Sequence, residues 1–526
     1  MACTTILVGK DASYDGSTII ARNEDSANGE FNPKRFIVVK PEEQPREYKS
    51  VISHLTITLP DDPLQYTAVP NADLKEGIWG EAGVNEANVA MSATETLTTN
   101  ERVLGADPFV EYTPAKGDEP EVPGGIGEED FLTIVLPYVK TAREGVQRLG
   151  ALLEEFGTYE MNGVAFSDSN EIWWLETVGG HHWIAKRVPD EAYVTMPNQL
   201  GIDEFDLEDA LGDQEAHMCS EDLAEFIETN HLDLAVENTT PFNPRDAFGS
   251  HSDSDHVYNT PRAWYMQRFL NPYDEVWDGP DADHKPTSDD IPWARQPERK
   301  VTIEDIKYVL SSHYQGTPFD PYGQLGDERT RHMYRTIGIN RQSRPYRPQA
   351  SRAIQWMAYG SNPFNTLVPF FPNVDTTPAY LEDTTTRVTS ENFYWANRII
   401  AALCDGAFRS TSNAVERYQE KTGAMGHRLV AATDEQIARL GLTAAEEAAQ
   451  SAAEEEFEAD NVDGDVQPMT PDETIAALRN PEVREILAAA NQTMADQLKE
   501  ETEKLLDSVL YTRSMEMKNG FHMSDF

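Results

Sequence analysis

The chain has 526 residues, of which 91 are acidic and 43 basic, so its formal charge is −48. A surface this negative repels phosphate backbones and anionic membranes, which argues against nucleic-acid and membrane partners. The three cysteines are too few for a disulfide framework, and an odd number cannot all be paired within the chain. So few cysteines are typical of a reducing compartment. No basic-then-apolar leader and no apolar run of membrane-spanning length occurs, so the sequence predicts a cytoplasmic protein.

Two strand-like segments, residues 3–9 and 17–23, begin the chain and flank the dipeptide Asp15-Gly16. An Asp-Gly pair between apolar runs is a strong hairpin signal. Such a hairpin would bring Arg22 and Asp25 back toward Cys3, where a cation favours the thiolate and a carboxylate can orient an ammonium. An edge hairpin with an ordinary solvent-facing ion pair is the alternative.

Cys3 lies close enough to the N-terminus to become the first residue of the chain, which an internal cysteine cannot. Removal of Met1 and Ala2 would place its thiol and the α-amine of the chain on one residue. An α-amine has a pKa of roughly 7.7–8.0, and pairing a nucleophile with such an amine is a known means of activation. Cys3 is therefore the candidate nucleophile, whereas Cys219 and Cys404 are expected to be inert.

The first half of the chain is rich in predicted strands. These are residues 35–40, 64–69, 88–95, 163–167, 172–177, 182–186 and 192–195. Residues 101–127 contain many Pro, Gly and Glu and are predicted to be an exposed loop. Helices are expected at residues 128–140 and 142–156, the second with an apolar stripe at helical spacing.

The second half is predicted to be mainly helical. Helices are expected at residues 220–229, 260–270 and 303–313, from about residue 391 onward, and at 471–510. Residues 271–298 form a surface excursion, and residues 353–359 a late strand. The Ala/Glu-rich residues 444–458 are expected to be a solvated helix or a disordered flank.

Metal-binding patterns are weak, since neither CxxC nor HExxH occurs. His181 and His182 are the most ligand-like pair. Adjacent residues of a strand point to opposite faces, so we expect the two rings not to share one ion. We therefore expect no metal and no cofactor.

Several longer motifs, in this order, resemble one family. They are residues 22–25 (RNED), 77–96 (GIWGEAGVNEANVAMSATET), 173–177 (WWLET), 258–264 (YNTPRAW) and 354–360 (IQWMAYG). Together they resemble the bacterial cysteine dipeptidases of the dipeptidase A family, which are relatives of the secernins within the choloylglycine-hydrolase-like superfamily. The resemblance implies an α+β fold, a four-layer αββα sandwich of the N-terminal-nucleophile hydrolase type with a helical C-terminal part. It implies a domain over residues 3–400, with surface insertions near 101–127 and 271–298, and an extension over 401–526.

The resemblance also assigns catalytic roles. It implies Cys3 as the nucleophile, Arg22 and Asp25 as its electrostatic partners, and Arg262 as a later active-site arginine. A site asparagine is expected after the fourth meander strand. Met196 stands at the expected position and Asn198 follows two residues later, so either Asn198 fills that role or the role is altered.

Substrate contacts are expected at Thr94 or Glu95, where the superfamily has an asparagine that this chain lacks. The implied function is metal-free hydrolysis of unblocked dipeptides through a thioester on Cys3. A choloylglycine-type amidase acting on penicillin V or bile salts is one alternative, and a non-catalytic acidic interaction protein is another. The expected partners are small peptides, and self-association into a homo-oligomer is left open.

Overall fold

A computed structural model describes residues 3–24, 31–235, 242–250, 252–337, 342–343, 351–440 and 470–518, with Thr94 and residues 342–343 described by their backbone alone. The strands are β1 (Cys3–Val8), β2 (Ile19–Glu24), β3 (Ile37–Val39), β4 (Glu47–Lys49), β5 (Thr56–Thr58), β6 (Tyr66–Ala68), β7 (Ala82–Val84), β8 (Ala90–Thr96), β9 (Asn162–Ser167), β10 (Ile172–Thr177), β11 (Trp183–Arg187), β12 (Tyr193–Met196), β13 (His217–Cys219), β14 (Ala294–Arg295), β15 (Gln342–Ser343), β16 (Ala353–Met357) and β17 (Val368–Phe370). The helices are α1 (Glu101–Ala106), α2 (Glu128–Val135), α3 (Ala142–Phe156), α4 (Leu207–Leu211), α5 (Leu223–Thr229), α6 (Pro244–Phe248), α7 (Asp255–Tyr258), α8 (Thr260–Leu270), α9 (Ile303–Leu310), α10 (Glu328–Arg331), α11 (Ala379–Glu382), α12 (Phe393–Asp405), α13 (Phe408–Arg439), α14 (Pro471–Leu478) and α15 (Pro481–Met515).

The first sheet has the strand order β14-β12-β1-β2 and is antiparallel throughout. β1 and β2 pair as the N-terminal hairpin predicted, with Cys3 opposite Glu24 and Thr5 opposite Arg22. Their connection, residues 9–18, is longer than a tight turn, and Gly16 adopts the positive φ of 77° that glycine tolerates best. On its other side β1 pairs with β12, so Cys3 begins a central strand.

The second sheet has the order β13-β11-β10-β9-β8-β7 and contains the predicted meander. Its strand β8 has a register shift between Ala93 and Glu95, which leaves Thr94 as an extra residue. Such a bulge switches the face to which the following side chains point. Met91 and Ala93 lie in the outer core cluster, whereas Leu97, beyond the bulge, lies between the sheets.

Four layers follow from how these sheets pack. Leu7 and Ile20 of the first sheet share a core with Trp174 of the second. On the outer face of the first sheet, Ile6 and its neighbours pack against α8 and α9. On the outer face of the second, Phe166 and its neighbours pack against α2 and α3. The expected αββα sandwich is confirmed.

A third sheet, β15-β16-β17, packs against the helical C-terminal part. Phe370 of β17 shares a cluster with residues of α12, α13 and α15. Trp356 of β16 shares another with Val430 of α13 and Leu487 of α15. Among the described residues, no helix is long and apolar enough to cross a membrane. The Ala/Glu-rich residues 444–458 lie outside the described part of the chain, and the domain boundary at residue 400 stays a prediction.

The segment of residues 101–127, predicted to be a loop, begins with a helix instead. This helix, α1, begins at Glu101 because the Asn100 side chain accepts hydrogen bonds from the backbone N–H groups of Arg102 and Val103. An asparagine N-cap of this kind stabilises a helix by roughly 1 kcal/mol. The composition of the longer segment concealed this signal.

Two helical glycines give a matched test of the packing between α3 and the second sheet. A Cβ at Gly145 would lie 2.4 Å from the ring of the buried Phe166, whereas a Cβ at Gly105 of α1 would meet nothing within 4 Å. We expect Gly145→Ala to lower the free energy of unfolding by about 1–3 kcal/mol, because the core there is already filled. Gly105→Ala should leave it unchanged or raise it. The measurement is the melting temperature of each variant and of the parent protein. A Gly145→Ala variant that melts at the same temperature as the parent would contradict the close packing at Gly145.

Candidate active site

Cys3 is the first residue of β1 and is fully buried. Successive residues of a strand alternate in face, so its side chain shares the inter-sheet face with Thr5 and Leu7. Its Sγ accepts a hydrogen bond from Nη1 of Arg22 at 3.0 Å. Burial raises the pKa of the Cys3 thiol above its usual value, and the Arg22 cation opposes that rise.

Arg22 is held by the second sheet on its far side. Its Nη2 forms a 2.5 Å ion pair with Glu81 and also donates to the Ala93 carbonyl at 3.0 Å, while Nε donates to Ser92 Oγ at 3.1 Å. Glu81 has a left-handed φ of 62°, which is uncommon for a residue other than glycine. The Arg22 guanidinium that contacts the thiol is therefore paired with the carboxylate of Glu81, a residue whose backbone conformation is strained.

The charge network continues away from Cys3. Lys34 bridges Glu81 at 3.0 Å and Glu24 at 3.1 Å. Burial raises the pKa of Glu81, but the two cations, Lys34 and Arg22, outweigh burial and lower it overall. Arg22 thus has an ionised partner at neutral pH.

Arg262, in the first turn of α8, is fully buried on the opposite side of β1. Its Nε donates to the Tyr258 carbonyl at 2.7 Å, and its Nη1 donates to the Cys3 carbonyl and to Thr4 Oγ1. Its Nη2 donates to Oδ1 of both Asn198 and Asn259 at 2.8 Å. A guanidinium has five N–H groups, and all five are used within the protein. Arg262 therefore fixes the head of β1 and has no donor left for a substrate.

Asn198 follows β12 and lies beside Cys3. Its Oδ1 accepts from the Cys3 backbone nitrogen at 3.2 Å, and its Nδ2 donates to the Thr96 carbonyl at 2.8 Å. Met196, the other candidate for the asparagine role, is buried in the core between the sheets. The geometry thus brings Asn198, and not Met196, to Cys3.

Glu95 reaches the inter-sheet face because of the bulge in β8. Its Oε2 accepts from Thr5 Oγ1 at 2.7 Å, and its Oε1 has no hydrogen-bond partner among the described residues. Burial raises the pKa of this fully buried carboxyl to about 8, although Arg262 and Arg22 both act to lower it. A protonated acid close to the thiol can ionise when a positive group arrives.

The structure therefore brings together five of the residues expected from the sequence: Cys3, Arg22, Glu95, Asn198 and Arg262. Asp25 lies outside the described residues, and Thr94 is placed by its backbone within the bulge.

Three neighbours of the site were not foreseen. Glu81 lies inside the motif of residues 77–96, so its carboxylate could have been noticed there. Lys34 and Arg335 stand in no recognisable pattern. Arg335 Nη1 approaches Asn198 Oδ1 at 3.5 Å, and its guanidinium lies 4.4 Å from the centre of the Tyr258 ring.

His181 and His182 precede β11 in a bend rather than in the strand, so the alternation of faces along a strand does not apply to them. Both Nδ1 atoms contact the carboxylate of Asp107, at 3.0 and 2.7 Å. These contacts lower the pKa of Asp107. The expectation that the two rings do not share one ion stays a prediction. Across the described ranges, no group of three or more His, Cys, Asp or Glu side chains is arranged to hold a metal ion.

A buried cysteine at the start of a central strand, inside an αββα sandwich, defines the N-terminal-nucleophile hydrolase type of fold. The model of peptidase family C69 matches residues 2–421, and the chain belongs to that family.

Two of three named relatives match the whole length of the chain. It is 99% identical over 533 residues to a dipeptidase from Bifidobacterium longum (strain NCC 2705), with 100% of both chains covered. It is 51% identical over 532 residues to probable dipeptidase A from Streptococcus pyogenes serotype M3 (strain SSI-1), again with 100% of both covered. Dipeptidase A from Lactobacillus helveticus is 44% identical over 448 residues, which cover 83% of this chain and 89% of the relative.

Replacement of Arg22 tests its effect on the thiol. We expect Arg22→Met to raise the pKa of Cys3 by about 1–3 units, because an adjacent opposite charge favours the ionised form by that amount. The measurement is the ultraviolet thiolate absorbance against pH, taken as the difference between each protein and its Cys3→Ala counterpart. Arg102→Met, on the exposed face of α1, is the matched control and should not shift the midpoint. Coincident curves for Arg22→Met and the parent would exclude the electrostatic role.

Proposed function

We propose that this protein is a cysteine dipeptidase that hydrolyses unblocked dipeptides through a thioester on Cys3, after Met1 and Ala2 have been removed. The observation that carries the proposal is that both the thiol and the backbone nitrogen of Cys3 have a partner. Arg22 Nη1 donates to Sγ of Cys3 at 3.0 Å, and Asn198 Oδ1 accepts from the backbone nitrogen of Cys3 at 3.2 Å. Membership of peptidase family C69 and the names of the relatives support the substrate class.

The nitrogen of Cys3 would act as the base. Once it is the α-amine, Asn198 Oδ1 can orient it and Arg22 disfavours its ammonium form, which lowers its pKa from a reference of roughly 7.7–8.0. The amine takes the thiol proton, and sulfur attacks the peptide carbonyl to form a tetrahedral oxyanion. The amine then protonates the departing amino group, and the thioester remains. Water hydrolyses the thioester by the same proton transfers, releasing the acid and restoring the thiol.

The oxyanion needs N–H donors where its charge develops. Arg262 has used all five of its donors, so it would act by positioning Cys3 and Asn198. Asn198 Nδ2 donates one hydrogen to Thr96, and its second hydrogen is the donor we assign to the oxyanion. Asp25 remains a proposed electrostatic partner of the amine, on the resemblance alone.

Selection for an unblocked substrate would depend on Glu95. Its second oxygen has no described partner, and its raised pKa of about 8 means that it is mostly neutral at pH 7. A substrate ammonium beside it would lower that pKa and form an ion pair. An N-acetylated dipeptide has no such charge and would leave the carboxyl protonated. Thr94 stays a proposed contact, without a described side chain.

The N-terminal mass of active protein is the decisive test. Active molecules should begin at Cys3, because otherwise the thiol lacks its proton acceptor. Cys3→Ala should abolish dipeptide hydrolysis, whereas Cys219→Ala should not, and EDTA should leave the rate unchanged. Fully active protein that retains Met1 and Ala2 would refute the proposed mechanism, and loss of activity to EDTA would refute a metal-free one.

Replacement of Glu95 tests the ammonium site. We expect Glu95→Gln to lower kcat/KM for a free dipeptide by about 10–100-fold, the loss of one charge-assisted hydrogen bond, with little change for the N-acetyl dipeptide. Glu176→Gln is the matched control, since Glu176 is equally buried but binds Trp174 Nε1 and the Gly201 backbone instead. Equal loss for the free and blocked substrates in Glu95→Gln would instead favour the amidase alternative.

A further inference from the structure

A second and larger cavity lies away from the nucleophile. It measures about 710 Å³ and lies between α9, the segment joining β16 to β17, and the N-terminal half of α13. None of the residues that contact Cys3 lines it. β16 separates the two regions, because Trp356 lines this cavity while the next residue, Met357, lines a smaller one beside Arg22. The volume falls in the range of small-molecule sites.

Lys307 of α9 supplies a positive charge to this cavity. Its Nζ donates to Ser311 Oγ at 2.5 Å and to the Asn362 carbonyl at 2.9 Å, which leaves one of its three hydrogens. Among the described residues it forms no salt bridge, although the chain contains 91 acidic residues. Burial lowers its pKa to about 7, so near pH 7 about half of the molecules carry this charge, and a bound carboxylate would favour the charged form. The one other basic group of the wall, His313, is already paired with Asp320 at 2.8 Å.

Part of the cavity wall is apolar, although Thr366, Ser412 and Gln419 also line the cavity. Phe364, Leu367, Phe408 and Val415 contribute aromatic and aliphatic surface. Trp356 also lines the cavity and is 1% exposed, and its indole N–H has no hydrogen-bond partner among the described residues. An orphaned buried donor in the lining of this cavity is suited to an oxygen of a ligand.

Negative charge lines the side formed by α13. Glu416 and Glu420 are one helical turn apart, exposed, and without a salt bridge in the described part of the chain. Glu304, on α9, is occupied by His427 at 2.6 Å. The cavity lining thus includes a lysine on α9, two carboxylates on α13 and several apolar side chains.

We propose that this cavity binds a free α-amino acid with an apolar side chain, as the zwitterion. Its carboxylate would bind Lys307 Nζ, and its ammonium would lie at Glu416 and Glu420. Its side chain would pack against Trp356 and Phe364. A simple anion would be repelled by the two glutamates, and a simple cation by the lysine, so only a ligand that carries both charges satisfies all three groups. The proposal goes beyond the hydrolytic site and does not depend on its chemistry.

Labelling of individual lysines tests the site directly. The protein is treated with trinitrobenzenesulfonate near neutral pH, with and without saturating L-leucine, and labelling is quantified by peptide mapping. L-leucine should slow the labelling of Lys307 by about tenfold, the effect of a site that is 90% occupied. Lys75, whose side chain is 84% exposed, is the internal control, and the rate at Lys307 is divided by the rate at Lys75 in the same sample, because the amine of L-leucine also consumes the reagent. An unchanged rate at Lys307 would overturn the proposal.

Analogues and variants test the two charges. 4-Methylpentanoate lacks the ammonium and 3-methylbutylamine lacks the carboxylate, so each should need about tenfold more to protect Lys307. The double variant Glu416→Gln, Glu420→Gln should weaken protection by L-leucine similarly, whereas Glu435→Gln, elsewhere on α13, should not. Protection by 4-methylpentanoate as strong as by L-leucine would overturn the zwitterion assignment.

Discussion

The hydrogen bonds of the Arg262 guanidinium are the interactions on which the candidate active site depends. One guanidinium joins the carbonyl of Cys3, the hydroxyl of Thr4, the amides of Asn198 and Asn259 and the carbonyl of Tyr258. Removing such a charge from water costs several kcal/mol, which only a complete set of hydrogen bonds offsets. Arginine is suited to this position because its planar fork presents five donors in a fixed geometry, which a lysine cannot reproduce.

The two arginines of the site have different tasks because they lie on opposite faces of β1. Arg262 reaches the strand from the helical layer and binds backbone and amide oxygens. Arg22 lies between the sheets, touches the sulfur itself, and is held by Glu81 and Lys34. The position of Cys3 and the charge beside its thiol are therefore set by separate layers of the sandwich. A change in one layer can alter the pKa of the thiol without moving the strand, and a change in the other can move the strand without altering the charge.

Local patterns in the sequence predicted much of the architecture. The β1–β2 hairpin, helix α3 and the meander of the second sheet follow from apolar periodicity and turn residues, and α3 has the predicted bounds, residues 142–156. The tryptophans at 173, 174, 183 and 356 are all buried, as is typical of large apolar side chains on strands. The approach of Arg22 to Cys3 could also be predicted, because a hairpin places the two ends of its arms together.

Features that depend on a single residue or on distant contacts could not be predicted. The inward direction of Glu95 requires the bulge at Thr94, and strict alternation would have pointed it outward. His181 and His182 share Asp107 because the chain bends before β11. Arg335 reaches Asn198 only through tertiary folding, across 137 residues of sequence.

The separation in sequence between Cys3 and its partners has a consequence during synthesis. Cys3 leaves the ribosome before Asn198 and Arg262, which follow 195 and 259 residues later, at about 5–20 residues per second. Until they emerge, nothing holds the carbonyl of Cys3 or orients its nitrogen. A nascent or prematurely terminated chain that ends before residue 262 therefore contains the cysteine but not the site.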